Sequence, residues 1–272
     1  MTTSIPAADD DLSLKELVTL ADKSFWIFRA NARDPQLVDL PSLALYRHLI
    51  HMANGIDLLL CARAARPAIP LLRSAFEAYL FLEYIYQERY EERSLAWMCS
   101  YYRRLLRRLD LLDPTTKNGA NLQAELGKLF PDESYNAFSR SVSASPNSAW
   151  VRKKLDSYPL NRINSEYDKL KKREWEPPWY SLDDPLKGRT GLKRLSQRVK
   201  LAALYLVYYE PWSEIIHANE FEGFLSLLPN GTVDFDPLEG TAIIKDTTIE
   251  LGTRIFVERS TPLMASKFGV RA

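Results

Sequence analysis

Histidine and cysteine are scarce in this sequence, with three and two among 272 residues, and each scarcity removes chemistry. Cys61 and Cys99 show no CxxC or other paired spacing, so neither a disulfide framework nor a zinc site is expected. Both lie inside apolar helical stretches and read as buried thiols of a reducing compartment, the cytoplasm. There is no P-loop, GxGxxG, GxSxG or HExxH motif, which excludes the strongly signalled nucleotide-binding, hydrolase and metalloprotease classes. No metal and no cofactor is expected. Neither sign of charge is in excess: 36 Lys and Arg against 35 Asp and Glu leave a formal +1, without the overall field of a general nucleic-acid coat protein. Long apolar runs are missing too. The richest, residues 56–62, contains Asp57 and falls far short of a membrane span. The opening MTTSIPAADDDLSLKE is polar and acidic where a secretion signal needs a basic and then an apolar segment. A soluble, cytoplasmic protein with no membrane partner is the expectation.

What the sequence does contain is helical periodicity, with 46% hydrophobic and 26% charged residues, enough for a sizeable core. Residues 1–12 read as a flexible leader, and Ser13 as the N-cap of a first helix, LKELVTLADKSFWIFRANA. A second helix is expected over 42–65, ended by Pro67. A third is expected to start with Pro70 at its first position, LLRSAFEAYLFLEYIYQERYEE, and to continue or restart as far as Pro114. A short helix over 121–130 and two helices separated by Pro159 follow, then the non-helical connector WEPPWYSLDDP. Residues 186–218 read as the last major helical run, with Gly188 and Gly191 loosening its start. Pro229, Asn230 and Gly231 mark a turn, VDF suggests a brief strand, and 248–267 a helix. The fold class is therefore all-α: a bundle of long antiparallel helices over 13–225, with a Pro-rich connector and a small irregular C-terminal extension over 226–272 packed on it.

The stretch KLAALYLVYYEPWSEIIHAN, residues 200–219, gathers the most chemistry. Tyr205, Tyr209, Ser213 and His217 recur every fourth residue and share one helix face, with Pro211 expected to kink or break the helix just before Trp212. Ser213 and Glu214 stand one turn before His217, so a hydroxyl, a carboxylate and an imidazole come close together, and imidazole is the commonest general acid or base. A helix-end histidine satisfied by the serine or a carbonyl is the alternative. A second candidate is Arg73 with Glu77, four apart among Leu72, Ala75, Phe76 and Leu80. Buried charges need partners, so this is either an arginine–glutamate pair locking two helices or a fixed guanidinium able to hold a phosphate or carboxylate. Arg47 with His51 is a third, equally consistent with a solvated helix edge. Basic residues gather as Arg103, Arg104, Arg107 and Arg108; as Lys169, Lys171, Lys172 and Arg173; and as Lys187, Arg189, Lys193, Arg194, Arg198 and Lys200. The last set is free of acids and leads into the Tyr205 face, so Arg194 and Arg198 become candidate substrate-binding residues with Tyr205 and Tyr209. The alternative is a solvated helix face. Trp175, Trp179 and Tyr180 suit either stacking on bases or capping the bundle.

The combination of LLRSAFEAYLFLEYIY on an early long helix, a connector containing WY, a basic helix start and a closing Tyr-x3-Tyr-x3-Ser-Glu-x2-His-Ala resembles uncharacterised, mostly bacterial helical proteins near the HEPN superfamily. The likeness spans residues 40–225. It implies a HEPN-like bundle and metal-independent ribonuclease activity of the toxin–antitoxin, abortive-infection and other antiviral defence type, with RNA as substrate and a homodimer or a larger defence complex as assembly. The implied mechanism is attack of a ribose 2′-hydroxyl on its own phosphate, with histidine in proton transfer and arginine stabilising the charge. The family's motif places an arginine ahead of the histidine with four to six residues between them. Here Trp212, Pro211 and Glu210 hold those positions before His217, and Arg47 to His51 is one residue too short. Only His217 carries over as the motif histidine. Arg73 is the expected substitute for the missing arginine, Glu77 its orienting partner, and Ser213 with Glu214 the support of the imidazole. The alternative function is a non-catalytic helical binding or regulatory module for a nucleotide, a small ligand or a partner protein.

Overall fold

The computed structural model describes residues 12–32, 36–129, 148–170, 176–182, 191–211, 225–227, 233–235 and 246–270. Ser13 opens the first helix, α1 (Leu14–Asn31), with a capping box: its hydroxyl accepts from the Glu16 N–H at 3.3 Å while the Glu16 carboxylate accepts from the Ser13 N–H at 2.7 Å. α2 (Leu40–Cys61) carries Pro41 in its first turn, which suits the fixed φ of proline. It ends four residues before the expected limit. Arg63 adopts a positive φ of 56° there, and the Arg63 and Ala64 N–H groups return to Leu60 and Leu59, a Schellman stop. Cys61 consequently lies exposed at the helix end, while Cys99 is buried as expected.

α3 (Ala65–Gln87) corrects the expected start at Pro70, which lies inside the helix. Ala65, Arg66 and Pro67 already form its first turn, where N–H groups have no helical partner anyway, so Pro67 does not stop it. Pro70 removes only the hydrogen bond to Arg66. The helix is buried on almost every side, through Ile69, Leu72, Ala75, Phe76, Tyr79, Leu80, Leu82 and Ile85. The next helix is a restart, α4 (Tyr90–Leu112), after an extended Glu88 and Arg89 at φ 49°. α5 (Lys117–Leu129), α6 (Ser148–Leu155) and α7 (Leu160–Leu170) follow, then a single 3₁₀ turn, Trp179–Leu182. Trp179 and Tyr180 are buried in that turn, so their rings are not open for stacking on bases. Trp175 lies outside the described residues.

Where it is described, the expected run over 186–218 is not continuous: α8 (Leu192–Arg198) and α9 (Ala202–Tyr208) are separate helices. Lys200 is the reason. It takes a positive φ of 63°, with its N–H returning to Gln197 at 3.2 Å and that of Leu201 to Ser196 at 2.7 Å, again a Schellman stop. α9 then ends at Tyr208, and the break falls at Tyr209, with φ −130° and ψ −54°, ahead of the expected place just before Trp212; Glu210 and Pro211 are helical again, so the proline sits in a first helical turn. Strands β1 (Leu225–Leu227) and β2 (Val233–Phe235) pair antiparallel, with Ser226 opposite Asp234, on either side of the expected turn. α10 (Asp246–Lys267) closes the chain. The fold is all-α apart from this hairpin, among the described residues.

The chain divides into two compact units, Met1–Tyr90 with Gly191–Ala272, and Glu91–Thr190. Within the first unit the C-terminal helix packs on α1, α2 and α3. In the first unit Phe76 is the hub. Its ring centroid lies 5.5 Å from Phe256 on α10, 5.8 Å from Tyr209 and 6.4 Å from Tyr205, so one side chain joins three segments distant in sequence. Gly252 allows α9 and α10 to approach closely, since a Cβ there would stand 2.7 Å from the Tyr208 ring.

Two stability measurements follow. Phe76→Ala leaves a cavity at the hub and is expected to lower the unfolding free energy by roughly 3–5 kcal/mol in urea titrations. Lys200→Gly relieves a left-handed non-glycine residue and is expected to raise it by roughly 1 kcal/mol; no gain would mean that the Lys200 backbone is unstrained.

Candidate functional site around Arg73

Because α3 is enclosed, its charged residues have few directions in which to point. Arg73 and Glu77 occupy one face, one turn apart, and both meet Tyr209 at the bend after α9. The Arg73 guanidinium lies over the Tyr209 ring with its carbon 4.0 Å from the centroid. The Tyr209 hydroxyl donates to Glu77 Oε1 at 2.8 Å. No direct Arg73–Glu77 ion pair forms among the described residues, so the simple locking pair is replaced by a tyrosine placed between the two charges. Arg73 Nε is buried and lacks a hydrogen-bond partner among the described residues, a cost that native structures rarely leave without a reason.

Tyr205 stacks on Tyr209, with centroids 5.1 Å apart and planes 25° from parallel. Burial, and then the Glu77 carboxylate, pushes the Tyr209 phenol up to about 12, so it stays a neutral donor throughout the physiological range. Tyr205 is raised as well, first by burial and then by Glu210. Lys193 on α8 reaches Glu210 at 2.7 Å, an exposed pair beside this tyrosine stack.

A histidine that the sequence reading left aside also joins the cluster. His48 Nε2 lies 2.8 Å from the Ser74 hydroxyl, and Ser74 is the chain neighbour of Arg73. Partial burial and then His51 hold the His48 imidazole below its ordinary value, and Glu77 offsets this in part. His48 is therefore neutral near pH 7 and reaches solvent, the state a general base needs. The available sequence signal was that two of three histidines fall on α2. Nothing in their spacing indicated which would face α3.

The other candidates separate. Arg47 is taken by Asp22 of α1 and lies over Phe25 at 5.1 Å, so Arg47 and His51 form no joint site. Arg198 sits 3.4 Å from Glu88 and over the Tyr84 ring at 6.0 Å. Tyr84 stands eleven residues after Arg73, about 16 Å along the same helix, so Arg198 does not belong to the Arg73 cluster. Arg194 is exposed on α8. Ser213, Glu214 and His217 lie outside the described residues. No group of three metal-ligating side chains occurs among the described residues.

Residues 39–231 match the model of a family of unknown function, DUF5677. The chain belongs to that family. No curated protein and no solved structure matches the chain. The family segment takes in α2, α3, α8 and α9, and hence every member of the Arg73 cluster. No helix among the described residues is long and apolar enough to cross a membrane.

Since the folded protein holds His48 below its unfolded value of about 6.5, this group contributes stability above that pH, and the contribution is lost as pH falls. The melting temperature is expected to drop on acidification below pH 6.5, and less steeply in His48→Gln, which keeps a partner for Ser74. Identical pH profiles of the two proteins would remove His48 as the cause.

Proposed function

We propose that the chain is a HEPN-like, metal-independent endoribonuclease working on the α3 face that carries Arg73. The single observation behind this reading is a guanidinium held over the Tyr209 ring with Nε unpartnered, beside the serine that anchors a neutral, solvent-reaching histidine. A phosphodiester set against Arg73 meets a guanidinium that pairs with no carboxylate among the described residues, and a fixed guanidinium favours the extra negative charge of a pentacoordinate phosphorus. His48 takes the proton of the ribose 2′-hydroxyl as its oxygen bonds to phosphorus. The bond to the 5′-oxygen breaks, and that oxygen receives a proton from a general acid, the role assigned to His217 with Ser213 and Glu214. The products are a 2′,3′-cyclic phosphate and a 5′-hydroxyl, so no metal is needed to balance the step. Glu77 acts through Tyr209 by fixing the ring on which Arg73 rests. Cytoplasmic action in prokaryotic stress response or phage defence, as a homodimer or a subunit of a larger complex, is the setting that the resemblance to HEPN proteins implies.

One observation favours a second reading. Tyr209 is bonded to Glu77 and His48 to Ser74, so the cluster can hold an anion without doing chemistry, as a nucleotide-binding or regulatory module would. Incubating the purified chain with single-stranded RNA in EDTA separates the two. The nuclease reading expects cleavage that ends in cyclic phosphate and falls about 100-fold or more in both Arg73→Ala and His48→Ala, with unchanged circular dichroism. Undiminished cleavage in both variants sinks the assignment. Saturable nucleotide binding that is lost in Arg73→Ala, without any cleavage, selects the binding module.

A further inference from the structure

The second unit carries a surface that the Arg73 site does not use. On α4, residues 97, 101, 104 and 108 are spaced by four, three and four, which places Trp97, Tyr101, Arg104 and Arg108 within about 60° of one helix face over about 16 Å. The Trp97 and Tyr101 rings are parallel to within 2°, with centroids 6.1 Å apart, and Tyr101 is 38% exposed. The aromatic row continues sideways: Tyr101 meets Tyr102 at 5.5 Å, and Tyr102 meets Trp150 of α6 at 5.8 Å. Trp150 is 43% exposed and carries Lys154 over its ring at 5.5 Å. Arg152 of α6 holds Asp110 of α4 through both carboxylate oxygens, at 2.9 and 3.0 Å, and so ties the two helices together.

The four arginines of α4 divide by partner. Arg103 is held by Glu176, Asp168 and Asn164, and Arg107 shares Glu176. Those two are structural. Arg104 reaches only the Ser100 hydroxyl, at 3.2 Å, and neither it nor Arg108 has a carboxylate partner among the described residues. Burial first, then Arg108 and Arg107, depress the Arg104 guanidinium below its ordinary value, and Tyr167 and Glu176 offset this only in part. An anionic occupant removes that repulsion. Flat rings in line with two arginines that lack a carboxylate partner among the described residues favour an occupant that joins planar faces to regularly spaced negative charges, which a lipid headgroup lacks and a run of acidic side chains does not supply. A duplex hides its base faces, whereas a single strand presents them together with its phosphates.

We propose that the Trp97–Tyr101–Arg104–Arg108 face of α4, extended by Trp150 and Lys154, binds single-stranded RNA without sequence preference, a proposal that takes its ligand class from the ribonuclease reading. Unpaired bases stack on Tyr101 and Trp150, and Arg104 and Arg108, one turn apart, take up successive phosphates.

The test uses the full chain and a fluorescein-labelled 2′-O-methyl oligouridylate of about 12 nucleotides, which fits a stacking platform and, lacking the 2′-hydroxyl, cannot be cleaved. Fluorescence anisotropy is followed from about 50 to 300 mM KCl. Arg104→Ala with Arg108→Ala is expected to weaken binding about 10-fold at low salt and to flatten the slope of log K against log salt by about 1.4, the counter-ions of two phosphates on a single strand. Tyr101→Leu is expected to weaken binding about 10-fold with the slope unchanged, because a stacking contact releases no counter-ions. These side chains reach solvent, and matching melting curves confirm that the variants are folded. Parent-like binding by both variants, or equal competition by a blunt RNA duplex, overturns the proposal. The outcomes are separable from the catalytic ones. Tight, salt-dependent binding without cleavage in EDTA sinks the nuclease reading and leaves this surface standing. Cleavage that survives with oligonucleotide binding unaltered in the α4 variants does the reverse.

Discussion

The burial of α3 on nearly all sides is the constraint from which the first unit follows. A helix enclosed by α2, α8, α9 and α10 can keep a charge only where a neighbour supplies a partner, and Arg73 and Glu77 find theirs in one tyrosine. That tyrosine is held from the other side by Phe76, which belongs to the same helix and also packs against Phe256. The core and the site are thus one assembly. A helix segment of five residues, 73–77, provides the guanidinium, the serine that anchors His48, the aromatic hub and the carboxylate.

Backbone stops matter as much as side chains. Tyr209 reaches Arg73 only because α8 and α9 are separate, and they are separate because Lys200 turns the chain with a positive φ. A continuous helix over 192–208 would carry Tyr205 and Tyr209 along a straight axis, and the side chains of α8 with them. Broken at 199–201, the chain sets Lys193 beside Glu210, seventeen residues away, and Arg198 beside the far end of α3. Strain at one non-glycine residue of order 1 kcal/mol is small against the hub contacts that the bend permits.

These relations explain what could be read from the sequence. Local signals were legible: the Ser13 N-cap, the proline connector, the helical repeat of α3 and the VDF strand each depend on residues within a few positions. Arg73 with Glu77 was legible for the same reason, as two charges one turn apart in an apolar helix. Lys200 was not, because its left-handed turn carries neither glycine nor asparagine, the usual markers of a Schellman stop. Pro70 misled in the opposite sense, since a proline usually marks a helix start and here the first turn lies five residues earlier. The His48–Ser74 contact joins residues 26 apart on two helices, and no periodicity within either helix encodes which faces meet.

Runs of like charge hide the same ambiguity. Arg103, Arg104, Arg107 and Arg108 look equivalent in sequence, yet a 100° step per residue directs alternate pairs to different surroundings. Arg103 and Arg107 fall on the side facing Glu176 and are neutralised there, while Arg104 and Arg108 keep their charge next to stacked rings. The partner that decides this, Glu176, lies about seventy residues further on in the connector, next to the prolines that prevent it from joining a helix. A basic run therefore acquires function by subtraction: the acids of the fold remove some of its members, and the charges that remain, if aligned with something a ligand can stack on, define where an anion is wanted. The same subtraction isolates Arg73, since Glu77 is spent on Tyr209 and leaves the guanidinium against that ring with an Nε–H that finds no acceptor among the described residues.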